Sequence, residues 1–232
     1  MCGRFVQFSD PECYASRYAI DIPCIVDGPR YNSAPTEAVL AIRTEPDGRR
    51  ALIPLRWGLV PHWSKGIDHR YSMINARAET VHERPAFRDA FRRRRCLIPT
   101  EGFYEWQTTP SGKQPHLICR EDRAPFTMAG LWERWQDPTR STEQPALESC
   151  TIIVTEANAL VAKLHDRMPV ILPDEAHAAW LDPNLDDPDA LRALLQPLSP
   201  EGWTAFPVSR AVNNPRNNGP ELIAPLEIPV GE

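Results

Sequence analysis

Prolines punctuate almost the whole chain. They make up 25 of its 232 residues, roughly twice ordinary usage, and are dispersed among regular segments rather than gathered in a tract. A ring-locked φ and a missing N–H end helices and keep proline out of central sheet positions, so a chain interrupted this often folds as short elements joined by turns. Between the interruptions, apolar runs at Ala38–Arg43, Ala51–Trp57, His116–Cys119, Phe126–Met128, Cys150–Val154 and Val170–Leu172 read as short strands. Ser9 with Glu12 reads as a capping box that opens a helix through about Tyr18. Pro85, with Phe87 and Phe91 four apart, predicts an amphipathic helix over Pro85–Arg95 whose arginines face solvent or ligand. Thr155–Leu164 reads as a helix delivering His165 at its end, and two more follow at Asp174–Leu181 and Asp187–Leu195. Strands and helices intermingle without βαβ regularity or a repeat period. The expected class is therefore α+β, with a mixed, largely antiparallel sheet or barrel core flanked by short helices.

No linker or compositional break divides the chain, so residues 1–232 read as one domain. The start MCGRFVQFSD lacks a basic-then-apolar leader and no apolar run approaches about 18 residues, so the expected location is the cytoplasm, with no membrane partner. The six cysteines, at 2, 13, 24, 96, 119 and 150, form no CxxC, and the six histidines form no HExxH. Neither a disulfide framework nor a metal site is expected, and no cofactor. The formal net charge of −5 argues against coating duplex DNA by bulk electrostatics. Locally the balance reverses, with seven arginines against three acids between Arg77 and Arg95. That stretch is either a solvated helix surface or a basic face.

The second residue carries the most chemistry. If Met1 is removed, Cys2 presents an α-amine and a thiol on adjacent carbons. The amine condenses with an aldehyde to a Schiff base and the sulfur closes onto the imine carbon, giving a five-membered thiazolidine. Both groups ionise near neutral pH in their reference states. Read alone, a cysteine in this place is equally a small buried hydrophobe.

Four segments pair a turn former with polar groups that a pure core would not choose: Cys2-Gly3-Arg4, the stretch from Asn75 to Glu79, the stretch from Glu101 to Trp106, and the stretch from His165 to Pro169. Glu105, between Tyr104 and Trp106, reads either as the outward residue of an edge strand or as a carboxyl whose desolvation suits acid catalysis. His165 reads as a helix-end cation or a site residue, and Asn75 as a turn former or a site residue.

Together MCGR, NARAET, EGFYEW, HDRMPVIL and PVSRAVNNPRNNGPELI resemble the SRAP family of abasic-site processing proteins, in order and spacing, over about residues 1–226. The resemblance implies a single α+β domain that recognises abasic sites in single-stranded DNA and links an N-terminal cysteine to the opened deoxyribose as a thiazolidine, by lyase-like Schiff-base chemistry. It implies a role in the DNA-damage (SOS) response and a monomeric protein. Carried over by position, Cys2 is the nucleophile. Asn75 holds the linkage by hydrogen bonds, Glu105 shuttles protons in formation and reversal, and His165 supplies a second donor or acid. Arg4 and Arg77 resemble phosphate contacts, and Asn32, Pro35 and Trp63 resemble loop residues facing neighbouring bases. The polar stretch Asp137–Glu148 resembles a surface insertion. Two other readings stay open at this level: a thiol or N-terminal-nucleophile peptidase, including one that removes its own Met1, and a module that binds single-stranded DNA without a covalent bond.

Overall fold

A computed structural model describes residues 2–21, 28–67, 73–139 and 144–226. In chain order the strands are β1 (Phe5–Gln7), β2 (Arg30–Ser33), β3 (Ala38–Thr44), β4 (Arg50–Trp57), β5 (Asn75–Arg77), β6 (Arg95–Thr100), β7 (Gly102–Thr109), β8 (Gly112–Arg120), β9 (Phe126–Trp135), β10 (Leu147–Glu156), β11 (Arg167–Pro169), β12 (Ile171–Leu172) and β13 (Trp203–Pro207). The α-helices are α1 (Pro11–Tyr18), α2 (Arg88–Arg93), α3 (His177–Leu181) and α4 (Pro188–Ala193), supplemented by short 3-10 turns. Among the described residues, no helix is long and apolar enough to cross a membrane.

The strands form two sheets. One runs β13-β8-β7-β1-β2 and is antiparallel throughout. In the other, β4-β3-β6-β9-β10 closes into a five-stranded barrel, because β10 pairs antiparallel with β9 and parallel with β4 at Ser149 and Cys150. Alternation along the barrel strands sorts side chains into two sets. Leu40, Ile42, Leu97, Ala129, Leu131 and Ile153 pack beneath the helices against Tyr14, Phe91, Trp180 and Leu191. Val39, Ala41, Cys96, Ile98, Met128, Cys150 and Ile152 pack with Cys2, Phe5 and Phe103 from the other sheet. The first residue of the motif set is thus already part of a hydrophobic core. Gly130 is required by this packing, since a Cβ there would lie 2.9 Å from Cys96 Sγ and 3.2 Å from Thr151 O.

Several expected boundaries move. The first helix is capped by Asp10, whose Oδ1 accepts from Glu12 N–H at 2.8 Å, rather than by Ser9, because Pro11 occupies the first helical position. The helix expected over Pro85–Arg95 is regular only over Arg88–Arg93. Arg95 begins β6 and is buried, donating to the carbonyls of Trp180 (2.7 Å), Phe91 (2.9 Å), Arg92 and Asp182. It does not face solvent. The helix expected over Thr155–Leu164 is absent. β10 continues to Glu156, paired with Arg167, and only Val161–Lys163 coils, with Asn158 Oδ1 accepting from Leu160 and Val161 N–H. The run expected at Val170–Leu172 is split, Val170 standing between β11 and β12. Within the proposed insertion at Asp137–Glu148, residues 140–143 lie outside the described residues, as does Met1.

Candidate functional site

The two sheets meet where the motifs converge. In the first sheet Phe5 pairs with Phe103 and Val6 with Gly102, and Tyr104 N–H donates to Arg4 O at 2.9 Å. Continued by one residue, this register sets Gly3 against Glu105, so Cys2 leaves the sheet beside the Glu105 side of β7. β7 is an interior strand, flanked by β1 and β8. Glu105 is 2% exposed, which corrects the edge-strand reading. In the second sheet, β10 holds the other two motifs on its two sides. β5 lies parallel to it with Asn75 opposite Ile152, and β11 lies antiparallel with Arg167 opposite Glu156, two residues after His165. Asn75 Nδ2 donates to the Cys2 carbonyl at 2.8 Å. This bond joins the two sheets at the motif set. Asn75 Oδ1 is buried without a hydrogen-bond partner among the described residues.

Burial dominates the electrostatics. It pushes the Glu105 carboxyl up to about 7, against the amino-terminal charge and the Trp106 amide, which pull it down, while Asp166 raises it further. Burial also drives the Cys2 thiol far above its ordinary value, with the Glu105 charge adding to the rise and the amino terminus and the Arg4 amide opposing it. The thiol is therefore protonated near neutrality while Glu105 is divided between its two forms. His165 is lowered by burial first and by the amino-terminal charge second. Two contacts compete for its Nδ1: Arg167 N–H at 3.0 Å, which needs an acceptor, and Asp166 Oδ1 at 2.8 Å, which needs a donor. The lowered pKa favours the neutral ring, with Nδ1 accepting from Arg167 and the proton on Nε2, a tautomer assigned from this network.

The residues expected to touch DNA divide into two groups. Arg77 is exposed at the end of β5, Pro35 is half-buried in the turn after β2, and Trp63 is 55% exposed. Arg4 is half-buried and Asn32 is buried. Arg4 Nη1 donates to Asn32 Oδ1 at 2.7 Å and to Val212 O at 2.8 Å. Asn32 lies in strand β2 rather than in a loop, is buried, and spends its amide N–H groups on the carbonyls of Val212, Asn214 and Asn217. It fastens the C-terminal motif to the sheet.

The sequence model of the SOS response associated peptidase (SRAP) family matches residues 1–215. The chain belongs to the SRAP family. It is 45% identical over 226 residues to the abasic site processing protein YoqW of Bacillus subtilis, covering 96% of this chain and 99% of that protein. Identity to the abasic site processing protein YedK of Escherichia coli is 32% over 232 residues, covering 97% and 100%. Identity to the abasic site processing protein HMCES of Xenopus tropicalis is 34% over 228 residues, covering 85% of this chain and 66% of that one. The fold matches the crystal structure of a protein from Bacteroides thetaiotaomicron with a TM-score of 0.84 at 27% identity, covering 97% and 100% of the two chains.

Within this SRAP fold some contacts went unassigned in the sequence although their residues lie inside the motifs. Glu79 forms an ion pair with Arg167, tying the Asn75 segment to the His165 segment, and Trp106 Nε1 donates to Asn213 Oδ1 at 2.7 Å, tying the Glu105 strand to the C-terminal motif. Opposite charges in two separated motifs are the available signal for the first. Nothing in the sequence announces the second.

Proposed function

We propose that this SRAP protein captures abasic sites in single-stranded DNA as a covalent thiazolidine at Cys2, after removal of Met1. The observation that carries the reading is the Asn75 hydrogen bond to the Cys2 carbonyl, which joins the two sheets at Cys2, with the buried Glu105 carboxyl near enough for its charge to act on the thiol. A carboxyl that burial raises toward neutral pH serves as acid and base in turn. Opening of the closed sugar needs both, since the C1′ hydroxyl loses a proton and the ring oxygen gains one. The Cys2 amine then adds to the C1′ aldehyde, and water departs with a proton from Glu105 to leave an imine. Sγ attacks the imine carbon while its proton passes through Glu105 to the nitrogen. The balance is one C–N and one C–S bond formed and one water lost, and each step reverses along the same path.

Asn75 restrains Cys2 through its carbonyl and keeps Oδ1 as an acceptor for the N–H of the new ring. Neutral His165 offers Nε2–H to a sugar oxygen or flanking phosphate. The protonated, buried thiol orders the steps. It is a poor first nucleophile, so the amine attacks first, and this weighs against a peptidase that would need Cys2 thiolate at the outset. Single-stranded DNA is the fitting partner, because a nucleotide must leave any duplex to reach a buried side chain. A cytoplasmic monomer acting in the DNA-damage response suffices for this chemistry.

Intact mass spectrometry of the purified protein, before and after mixing with a single-stranded oligonucleotide carrying one abasic site, tests the reading. It expects loss of Met1 and a product equal to protein plus oligonucleotide less one water, stable to boiling without reductant. DNA binding with no such product would leave the non-covalent module in its place.

A further inference from the structure

The segment carrying Trp63 is pinned from beneath by side chains of β9 and β10. Val60 N–H donates to Ser149 Oγ at 2.9 Å, His62 N–H to Glu133 Oε2 at 3.2 Å, and Trp135 Nε1–H to Ser64 O at 2.7 Å. His62 Nδ1 makes a second contact with the same Glu133 oxygen at 2.6 Å. The other oxygen, Oε1, lies 2.6 Å from Arg94 Nε, an ion pair whose N–H is not aligned for a hydrogen bond. Glu133 is 3% exposed, whereas the residue its contacts surround, Trp63, is 55% exposed.

This arrangement is costly if its purpose is stability alone. A buried carboxylate loses several kcal/mol of hydration, and a well-packed apolar residue often serves a core as well or better. What the carboxylate supplies is direction: one group orders a backbone N–H, an imidazole and a guanidinium together. The result is a backbone held in place with its indole left in water, which is how a stacking platform is preorganised.

We infer that Glu133 is a positioning residue for DNA: it fixes the Val60–Ser64 segment so that Trp63 stands ready to stack on a base beside the lesion, and through Arg94 it ties that platform to the end of α2. The inference rests on the DNA-binding reading above. It assigns Glu133 no contact with DNA and no part in bond making.

A double-mutant cycle tests it, with Kd measured on a fluorescent single-stranded oligonucleotide carrying tetrahydrofuran in place of the abasic sugar, which has no aldehyde and cannot crosslink. Trp63→Ala should raise Kd about tenfold, the size of one lost base stack. Glu133→Ala should raise it about three- to tenfold, and the double variant should bind no more weakly than Trp63→Ala alone. With a true abasic oligonucleotide, the Glu133→Ala defect should sit in the DNA concentration giving half-maximal adduct rate, not in the rate at saturation. Should Glu133→Ala fail to fold by circular dichroism, Glu133→Gln carries the same cycle. It keeps an acceptor for His62 N–H and loses the charge facing Arg94, so a smaller penalty that vanishes in the Trp63→Ala background is expected. A penalty that persists in full in that background, or no penalty with Trp63 present, overturns the inference. Wild-type protein that does not bind the oligonucleotide overturns the DNA reading itself, whereas tight wild-type binding unchanged by Trp63→Ala overturns only the role given to Glu133.

Discussion

Burial lifts the Glu105 carboxyl to about 7, with the amino-terminal charge and the Trp106 amide holding it from rising further. The folded value lies above the unfolded one, near 4.3. The stability this group contributes is therefore full below about pH 4 and is lost as pH rises through about 7, by up to roughly 4 kcal/mol. Glu105→Gln removes that slope and should gain thermal stability over wild type between about pH 5 and 8. The same variant should slow both formation and reversal of the adduct, because a proton shuttle serves each direction. Wild-type rates both ways, with a melting temperature that tracks wild type at every pH, would remove Glu105 from the mechanism. Arg77 makes a different demand: it is exposed at the end of β5, and the role we propose for it is to position a phosphate without breaking a bond. Arg77→Ala should weaken capture and flatten the slope of log K against log salt by about 0.7, one single-strand phosphate contact, with the rate at saturating DNA retained. An unchanged slope with a lost rate would make Arg77 part of the chemistry instead. At this scale the structure joins Asn75 to the Cys2 carbonyl and lets the Glu105 charge act on the Cys2 thiol, as residues drawn from separate motifs. Glu133 escaped, since its partners lie 71 and 39 positions away in sequence and no motif contains it.

The elements that were misplaced share a cause. Thr155–Leu164 has helical apolar spacing, yet β10 runs on through Glu156 because its backbone is paired with β11 there, and long-range pairing overrides local period. The Arg-rich helix is cut short at Arg93 for the same reason: Arg95 is claimed by β6, and its guanidinium closes the ends of α2 and α3 by binding their carbonyls. Strands β1, β2 and β5 were not anticipated, being three or four residues long and carrying polar side chains that the site or the sheet junction uses. The barrel's tightest point offers a test of element packing. Gly130→Ala places a methyl 2.9 Å from Cys96 Sγ and 3.1 Å from Ile98 Cδ1. It should cost about 1–3 kcal/mol in urea unfolding with the m-value kept. A wild-type midpoint would contradict a barrel closed this tightly.

For the molecule as a whole, the α+β class with a sheet or barrel core was legible from dispersed prolines and β-branched runs, but not that the sheet closes into a barrel. Closure depends on β10 pairing parallel with β4 and antiparallel with β9, contacts whose register no local pattern encodes, and β10 pairs beyond the ring with β5 and β11. That one strand places Asn75 and His165 on its two sides, and the other sheet brings Cys2 and Glu105 to meet them through the Asn75 bond to the Cys2 carbonyl. The most direct measurement is a reductant-free, boiled denaturing gel of abasic single-stranded DNA with wild type, Cys2→Ala, Cys2→Ser and a form in which a bulky residue placed between Met1 and the cysteine keeps Met1 in place, each checked by intact mass. A thiazolidine requires amine and thiol on one terminal residue, so only wild type should leave a stable adduct. Cys2→Ala should leave a Schiff base that borohydride traps, and Cys2→Ser should do little better, since oxygen closes a weaker ring. A boiling-stable adduct from Cys2→Ala, or from protein whose mass still includes Met1, would contradict the account.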